Sequence, residues 1–202
     1  MRSSTDPAFT GRCRRCFLQE RVCICAHVVP VDAGFQLVVL RHWKEGWRSS
    51  NTGRLAGLAI RGALVLDYGA PGEPFDDRPL CGADTALLFP SVQNPVGEEP
   101  ASAPFEVAPA TLVVLDSTWS QARKLVRRIP ALSTMRRLQV LPTDPPPKRL
   151  RKPPTETAMG TFEAVTRAVE VVRGPLVAQQ LDRLHERFVR HALAQRGGLP
   201  AP

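Results

Sequence analysis

No stretch of this 202-residue chain approaches the roughly 18 consecutive apolar residues of a membrane-spanning helix. The opening MRSSTDPAF lacks the apolar core of a signal peptide. Both absences argue against membrane insertion and secretion, and make the cytoplasm, where thiols stay reduced, the expected location. Neither a G-x-G-x-x-G dinucleotide fingerprint nor a P-loop occurs, so nucleotide binding by those loops is excluded. No G-x-S-x-G elbow accompanies the four histidines His27, His42, His185 and His191, which disfavours a Ser-His-Asp hydrolase. There is no internal repeat. Acidic residues are scarce relative to basic ones, 19 against 27, for a net charge of +8 and a pI near 9.9. That balance suggests a polyanionic partner and says nothing about fold.

What the chain does have is an ordinary globular composition, 43% hydrophobic and 23% charged. The length suits one large domain or one domain with a small appendage. A compact chain of this size buries roughly 70% of its unfolded surface, so it needs no disulfide framework. Twenty prolines predict stiff loops. Of five cysteines, Cys13, Cys16, Cys23 and Cys25 crowd together as C-x2-C-x6-C-x-C. In a reducing compartment such a cluster reads as metal ligands, and four thiolates fit a closed, structural Zn²⁺ site. The C-x-C half is tighter than usual finger spacing, and His27 is an alternative ligand. Cys81 stands alone and reads as a small buried hydrophobe.

Beyond the cysteines, short apolar runs alternate with helical spacing. Residues 35–40, 63–66, 85–89 and 111–115 read as strands, with 137–141 as a further one. Each is two-sidedly apolar, which suits a parallel sheet covered on both faces. Helices are expected over 52–60 and from Ser117 to Arg128, with Pro130 just beyond. Residues 142–154 are proline-rich and basic, hence a loop. Two helices close the chain, one carrying Phe162, Val165 and Val169 on a face, the other Leu181, Leu184 and Phe188, separated by Gly174-Pro175. The class is α/β, a mostly parallel sheet with helices on both faces.

In open α/β sheets ligands sit outside the carboxyl ends of the strands. Three polar segments follow strands: RSSNTGR at 48–54, FPSV at 89–92 and DSTWSQAR at 116–123. Asp116 stands at a strand end where a helix begins, so it is either a helix cap or a functional carboxylate. Trp119 is either core or cavity wall. Arg123, Lys124, Arg127, Arg128, Arg136, Arg137, Lys148, Arg149, Arg151 and Lys152 form a long basic bias in which only Asp144 is acidic. An RNA or DNA backbone is the partner this bias fits.

Taken together and in order, these motifs resemble one family. LDSTWSQARKLVRRIP looks like the signature of DTW-domain proteins, the 48–56 segment like their upstream motif, Leu88-Phe89-Pro90 like the middle motif, and Thr161-Phe-Glu-Ala164 like the C-terminal helix. The usual glycine of the signature is Ser117 here. The resemblance implies a tRNA-uridine aminocarboxypropyltransferase. Such an enzyme moves the 3-amino-3-carboxypropyl group of S-adenosylmethionine (SAM) to N3 of a tRNA uridine, releasing methylthioadenosine. It further implies a SPOUT-like fold with a C-terminal knot over residues 31–202, preceded by a zinc-binding segment, residues 1–30. By the same resemblance Asp116 is the catalytic candidate, as base for uridine N3–H or as holder of the SAM amino group. Leu88, Phe89, Pro90, Ser91, Ser117, Thr118, Trp119, Thr155, Thr157 and Thr161 are cofactor-binding candidates. Arg48, Ser50, Asn51, Thr52 and Arg54 are candidates for the SAM carboxylate or the tRNA phosphates, and Arg123, Arg127, Arg149 and Arg151, from the basic stretch, for tRNA. A SPOUT-type RNA methyltransferase, another acceptor such as rRNA or a small molecule, and a non-catalytic zinc RNA-binding protein are the alternatives.

Overall fold

A run of consecutive Leu and Val is fully buried only if both faces of its strand are covered, and β1, Gln36–His42, is built that way. In the computed structural model, which describes residues 10–72, 74–89, 103–153, 155 and 158–197, Leu37 and Val39 enter one apolar cluster. Val38 and Leu40 enter a second cluster on the opposite face. A short 3-10 turn, Trp43–Trp47, leads to α1, Thr52–Ala59. Asn51 caps that helix by accepting the Arg54 backbone N–H at 2.7 Å. The remaining strands and α-helices among the described residues are β2 (Leu64–Tyr68), β3 (Thr85–Leu88), β4 (Ala103–Pro104), β5 (Thr111–Asp116), α2 (Trp119–Arg128), α3 (Pro130–Thr134), β6 (Arg136–Gln139), α4 (Thr161–Arg173) and α5 (Pro175–Ala194). Gly174, at φ +81°, turns the chain from α4 into α5, and Pro175 opens the new helix.

The six strands run β2-β1-β5-β3-β6-β4, and every pairing is parallel. Helices α1, α4 and α5 cover one face with Leu55, Phe162, Val165, Leu181 and Phe188. Leu18, Val22 and Ile24 of the cysteine-bearing segment belong to that same core. Helices α2 and α3 cover the other face with Ala122, Leu125, Val126 and Leu132. The expected class is borne out: an α/β fold with a parallel sheet between two helical layers. Each fully buried Phe or Leu here stabilises by roughly 1.5–3 kcal/mol. No helix among the described residues is long and apolar enough to cross a membrane.

Several details differ from expectation. β2 is not covered on both faces: Leu64 and Val65 are 45% and 37% exposed, because this strand is the sheet's edge beside β1. Pro130 does not simply end a helix; it opens α3, since its missing N–H lies where a first-turn donor has no partner anyway. β6 begins and ends earlier than 137–141, and the two-residue β4 was not anticipated. Cys81 is exposed rather than buried, its thiol directed at the Asp77 carbonyl.

The topology fixes where a ligand fits. β1 and β5 are neighbours, yet β1 leads to α1 on one face and β5 to α2 on the other. Adjacent strands whose chains depart to opposite faces leave a crevice at their carboxyl ends.

Candidate functional site

Asp116 is the last residue of β5, in that crevice, and is 4% exposed. It does not cap α2. Thr118 does, in a capping box with Gln121: the Thr118 hydroxyl accepts the Gln121 N–H, and the Gln121 side chain accepts the Thr118 N–H. The Asp116 carboxylate instead receives the Asn51 side-chain amide on Oδ2 at 2.5 Å and the Thr161 hydroxyl on Oδ1 at 3.1 Å. It thus joins the start of α1 to the start of α4. Gly53 permits this approach, because a Cβ there would overlap the Asp116 carboxyl. Burial pushes the Asp116 pKa up, against the pull of the Asn51 and Thr161 hydrogen bonds; nearby Glu45 adds to the rise and Arg41 opposes it. Arg41 is itself held by Asp67 through a two-pronged pair at 2.7 and 2.8 Å. A carboxylate whose pKa is raised is a stronger base than an exposed one.

Around Asp116 lies a cavity of about 750 Å³, within the size range of small-molecule sites. Phe89 and Trp119, ring centroids 5.9 Å apart, with Leu138, Val140 and Leu141 make an apolar part of its wall. Thr52, Arg149, Glu163 and His185 make a polar part. Of the cofactor candidates, Leu88, Phe89, Ser117, Thr118, Trp119 and Thr161 line this cavity with Asp116. Thr155 is outside the lining, and its carbonyl accepts the Ala158 N–H at 3.2 Å. Pro90, Ser91 and Thr157 lie outside the described residues.

The candidates for carboxylate and phosphate divide. Ser50, Asn51, Thr52, Arg149 and Arg151 line the cavity. Arg149 is 13% exposed and forms a bidentate pair with Glu163, 8% exposed, at 2.7–3.0 Å. Arg151 bonds Glu45 at 2.8 Å and Ser50 at 3.0 Å, and Glu45, nearly fully buried, also takes Arg48 at 3.2 Å. Arg54 lies outside the lining. Its guanidinium bonds the Gly46 carbonyl and sits 4.9 Å from the Phe17 ring centroid, and burial lowers its pKa to about 10. Arg123 and Arg127 are exposed on α2, outside the cavity.

The cysteines come together as their spacing predicts. One ligand sulfur from each of Cys13, Cys16, Cys23 and Cys25 lies within 4.8 Å of every other. Burial alone would raise the Cys13 thiol, but backbone N–H groups of Cys16 and Arg15 bring it down to about 7. Burial and the neighbouring thiols push Cys25 up. This donor set fits a tetrahedral Zn²⁺, which favours all four thiolates at once. His27 is not drawn in; its ring nitrogens lie 3.2 and 3.3 Å from Arg187.

Sequence reasoning missed Glu45, Glu163 and His185. Glu163 stood inside a quoted motif, but an acid in a helix's first turn reads as a dipole partner. His185 lies between Leu184 and Phe188 on an apolar face, and so reads as core. The Thr118-x-x-Gln121 capping box was visible, and would have moved the cap off Asp116.

A family model described as the DTW domain matches residues 10–193. The chain is similar to tRNA-uridine aminocarboxypropyltransferase 2 of Drosophila melanogaster, at 28% identity over 193 residues, covering 90% of this chain and 74% of the relative. No solved structure matches it.

Proposed function

The chain belongs to the DTW-domain family, and from that we propose that it transfers the 3-amino-3-carboxypropyl group of SAM to N3 of a uridine in tRNA. The observation carrying this reading is the placement of Asp116. It is a buried carboxylate held by Asn51 and Thr161 at the edge of a cavity that pairs an apolar wall with a charged one. SAM needs both walls, for adenosine and for its amino-acid end. When bound, SAM supplies a sulfonium leaving group, so that the N3–Cγ bond forms as the Cγ–S bond breaks and methylthioadenosine departs. Asp116 takes the N3 proton; burial raises its pKa and so makes it a stronger base than an exposed carboxylate. Asn51 and Thr161 fix the carboxylate, so that little reorientation is needed when the acceptor arrives. Trp119 and Phe89 keep water from the apolar part. Arg123 and Arg127, exposed on α2, are available to pair with tRNA phosphates.

The same reading gives the body, residues 31–202, a SPOUT-like knotted fold. In its support, the segment between β6 and α4 lines the cavity before α4 returns to the end of β5 through Thr161. Residues 1–30 act as a zinc-bearing structural cap, since four thiolates leave zinc no open position for catalysis. The reaction belongs in the cytoplasm. Labelled SAM tests the proposal. Label in the carboxyl carbon is expected to enter tRNA, while label in the methyl group stays in methylthioadenosine. Transfer of the methyl label instead would overturn it.

A further inference from the structure

We infer that the Arg149–Glu163 pair is the subsite that receives the amino-acid end of the donor, Arg149 taking the α-carboxylate and Glu163 the α-ammonium. This rests on the SAM reading above and specifies it. The group to be transferred ends in a zwitterion, one fixed positive and one fixed negative charge on a single carbon. A cavity that binds it needs one cation and one anion close together and turned inward. Arg149 and Glu163 are the ion pair in the cavity lining with both members below 15% exposure, at 13% and 8%. The other lining pair, Arg151 with Glu45, has its cation 40% exposed and bridged to Ser50.

Further observations agree. A buried ion pair is a poor stability device, because desolvation consumes most of the attraction; a role in recognition accounts for its place in a cavity wall. The approach to Glu163 is also kept open by Gly160, where a Cβ would sit 3.2 Å from Glu163 Oε1 and 3.7 Å from the Thr52 hydroxyl. Arg149 bonds Glu163 through Nε and Nη2, not Nη1, so part of its donor fork is turned elsewhere. Glu163 and Asp116 line the same cavity, so the amino-acid end of the donor at Glu163 shares that cavity with the proposed base.

Calorimetric titration with SAM and with methylthioadenosine, which lacks the amino-acid end, tests the inference. The double variant R149M/E163Q removes both charges, so that neither is left buried alone, and its melting temperature confirms folding. Wild type is expected to bind both compounds. The double variant is expected to bind methylthioadenosine within threefold of wild type, and SAM roughly 10- to 100-fold more weakly, the cost of losing charge-assisted hydrogen bonds. A folded double variant that binds SAM as well as wild type shows the pair to be a brace and overturns the subsite alone. Equal weakening of both compounds overturns it too. A wild type that binds neither compound overturns the donor reading along with it.

Discussion

Replacing Asp116 with Asn separates chemistry from architecture at the centre of the site. The carboxylate has two donors, the Asn51 amide on Oδ2 and the Thr161 hydroxyl on Oδ1. In Asp116→Asn the new oxygen keeps the Asn51 bond. The new NH₂ faces Thr161 Oγ1, which can accept while turning its own hydrogen to the Leu115 carbonyl, 3.5 Å away. No buried polar group is orphaned, so the fold survives. Stability should shift with pH in a defined sense. Burial raises the folded-state pKa of Asp116 above its unfolded value, so from about pH 4 up to that raised value the native state binds the extra proton. Wild-type stability is therefore lost as pH rises through this window, and the variant, which has no such group, gains relative to it. Above the window the difference is constant. Activity behaves in the opposite way. Removal of a positioned base should cut aminocarboxypropyl transfer by at least ~10²-fold, about 2.7 kcal/mol of barrier at 1.36 kcal/mol per decade. The assay is methylthioadenosine release at saturating SAM and tRNA, beside melting curves from pH 4 to 8. A rate within threefold of wild type would refute the base assignment; a variant losing stability with rising pH relative to wild type would refute the buried-carboxylate account.

Other perturbations follow from the same geometry. Gly53→Ala should destabilise by about 2–3 kcal/mol through severe overpacking against Asp116, exceeding the roughly 1 kcal/mol that Ala contributes to a helix, and a melting temperature at or above wild type would contradict this. Purified protein should carry close to one zinc per chain, and chelation should expose residues 13–25 to protease before it affects the rest; elemental analysis showing under about 0.2 metal per chain would contradict the four-thiolate assignment. tRNA affinity should fall linearly in log K against log salt, and Arg123→Glu with Arg127→Glu should shallow that slope by about one per contact without changing SAM affinity. A salt-independent dissociation constant would remove tRNA as the partner.

Much of the fold was legible because strands buried on both faces leave uninterrupted Val and Leu runs, as at residues 111–115. The cysteine cluster was legible because its ligands are neighbours in sequence. The site was legible only in pieces. Asn51 and Asp116 are 65 residues apart, and Asp116 and Thr161 45 apart; nothing local states that they meet. The two buried glutamates look like surface acids until their arginines are seen, and Arg149 and Arg151 look like phosphate ligands for the same reason. Leu64 and Val65 illustrate the converse: apolar strand residues read as core, yet strand order leaves them at an edge.

The central claim is the identity of the transferred group and its acceptor. Nucleoside mass spectrometry of bulk tRNA incubated with the protein and SAM measures both at once. A uridine carrying an aminocarboxypropyl group on N3, with methylthioadenosine formed in equal amount, is the predicted result. A methylated nucleoside with S-adenosylhomocysteine as the by-product would contradict it.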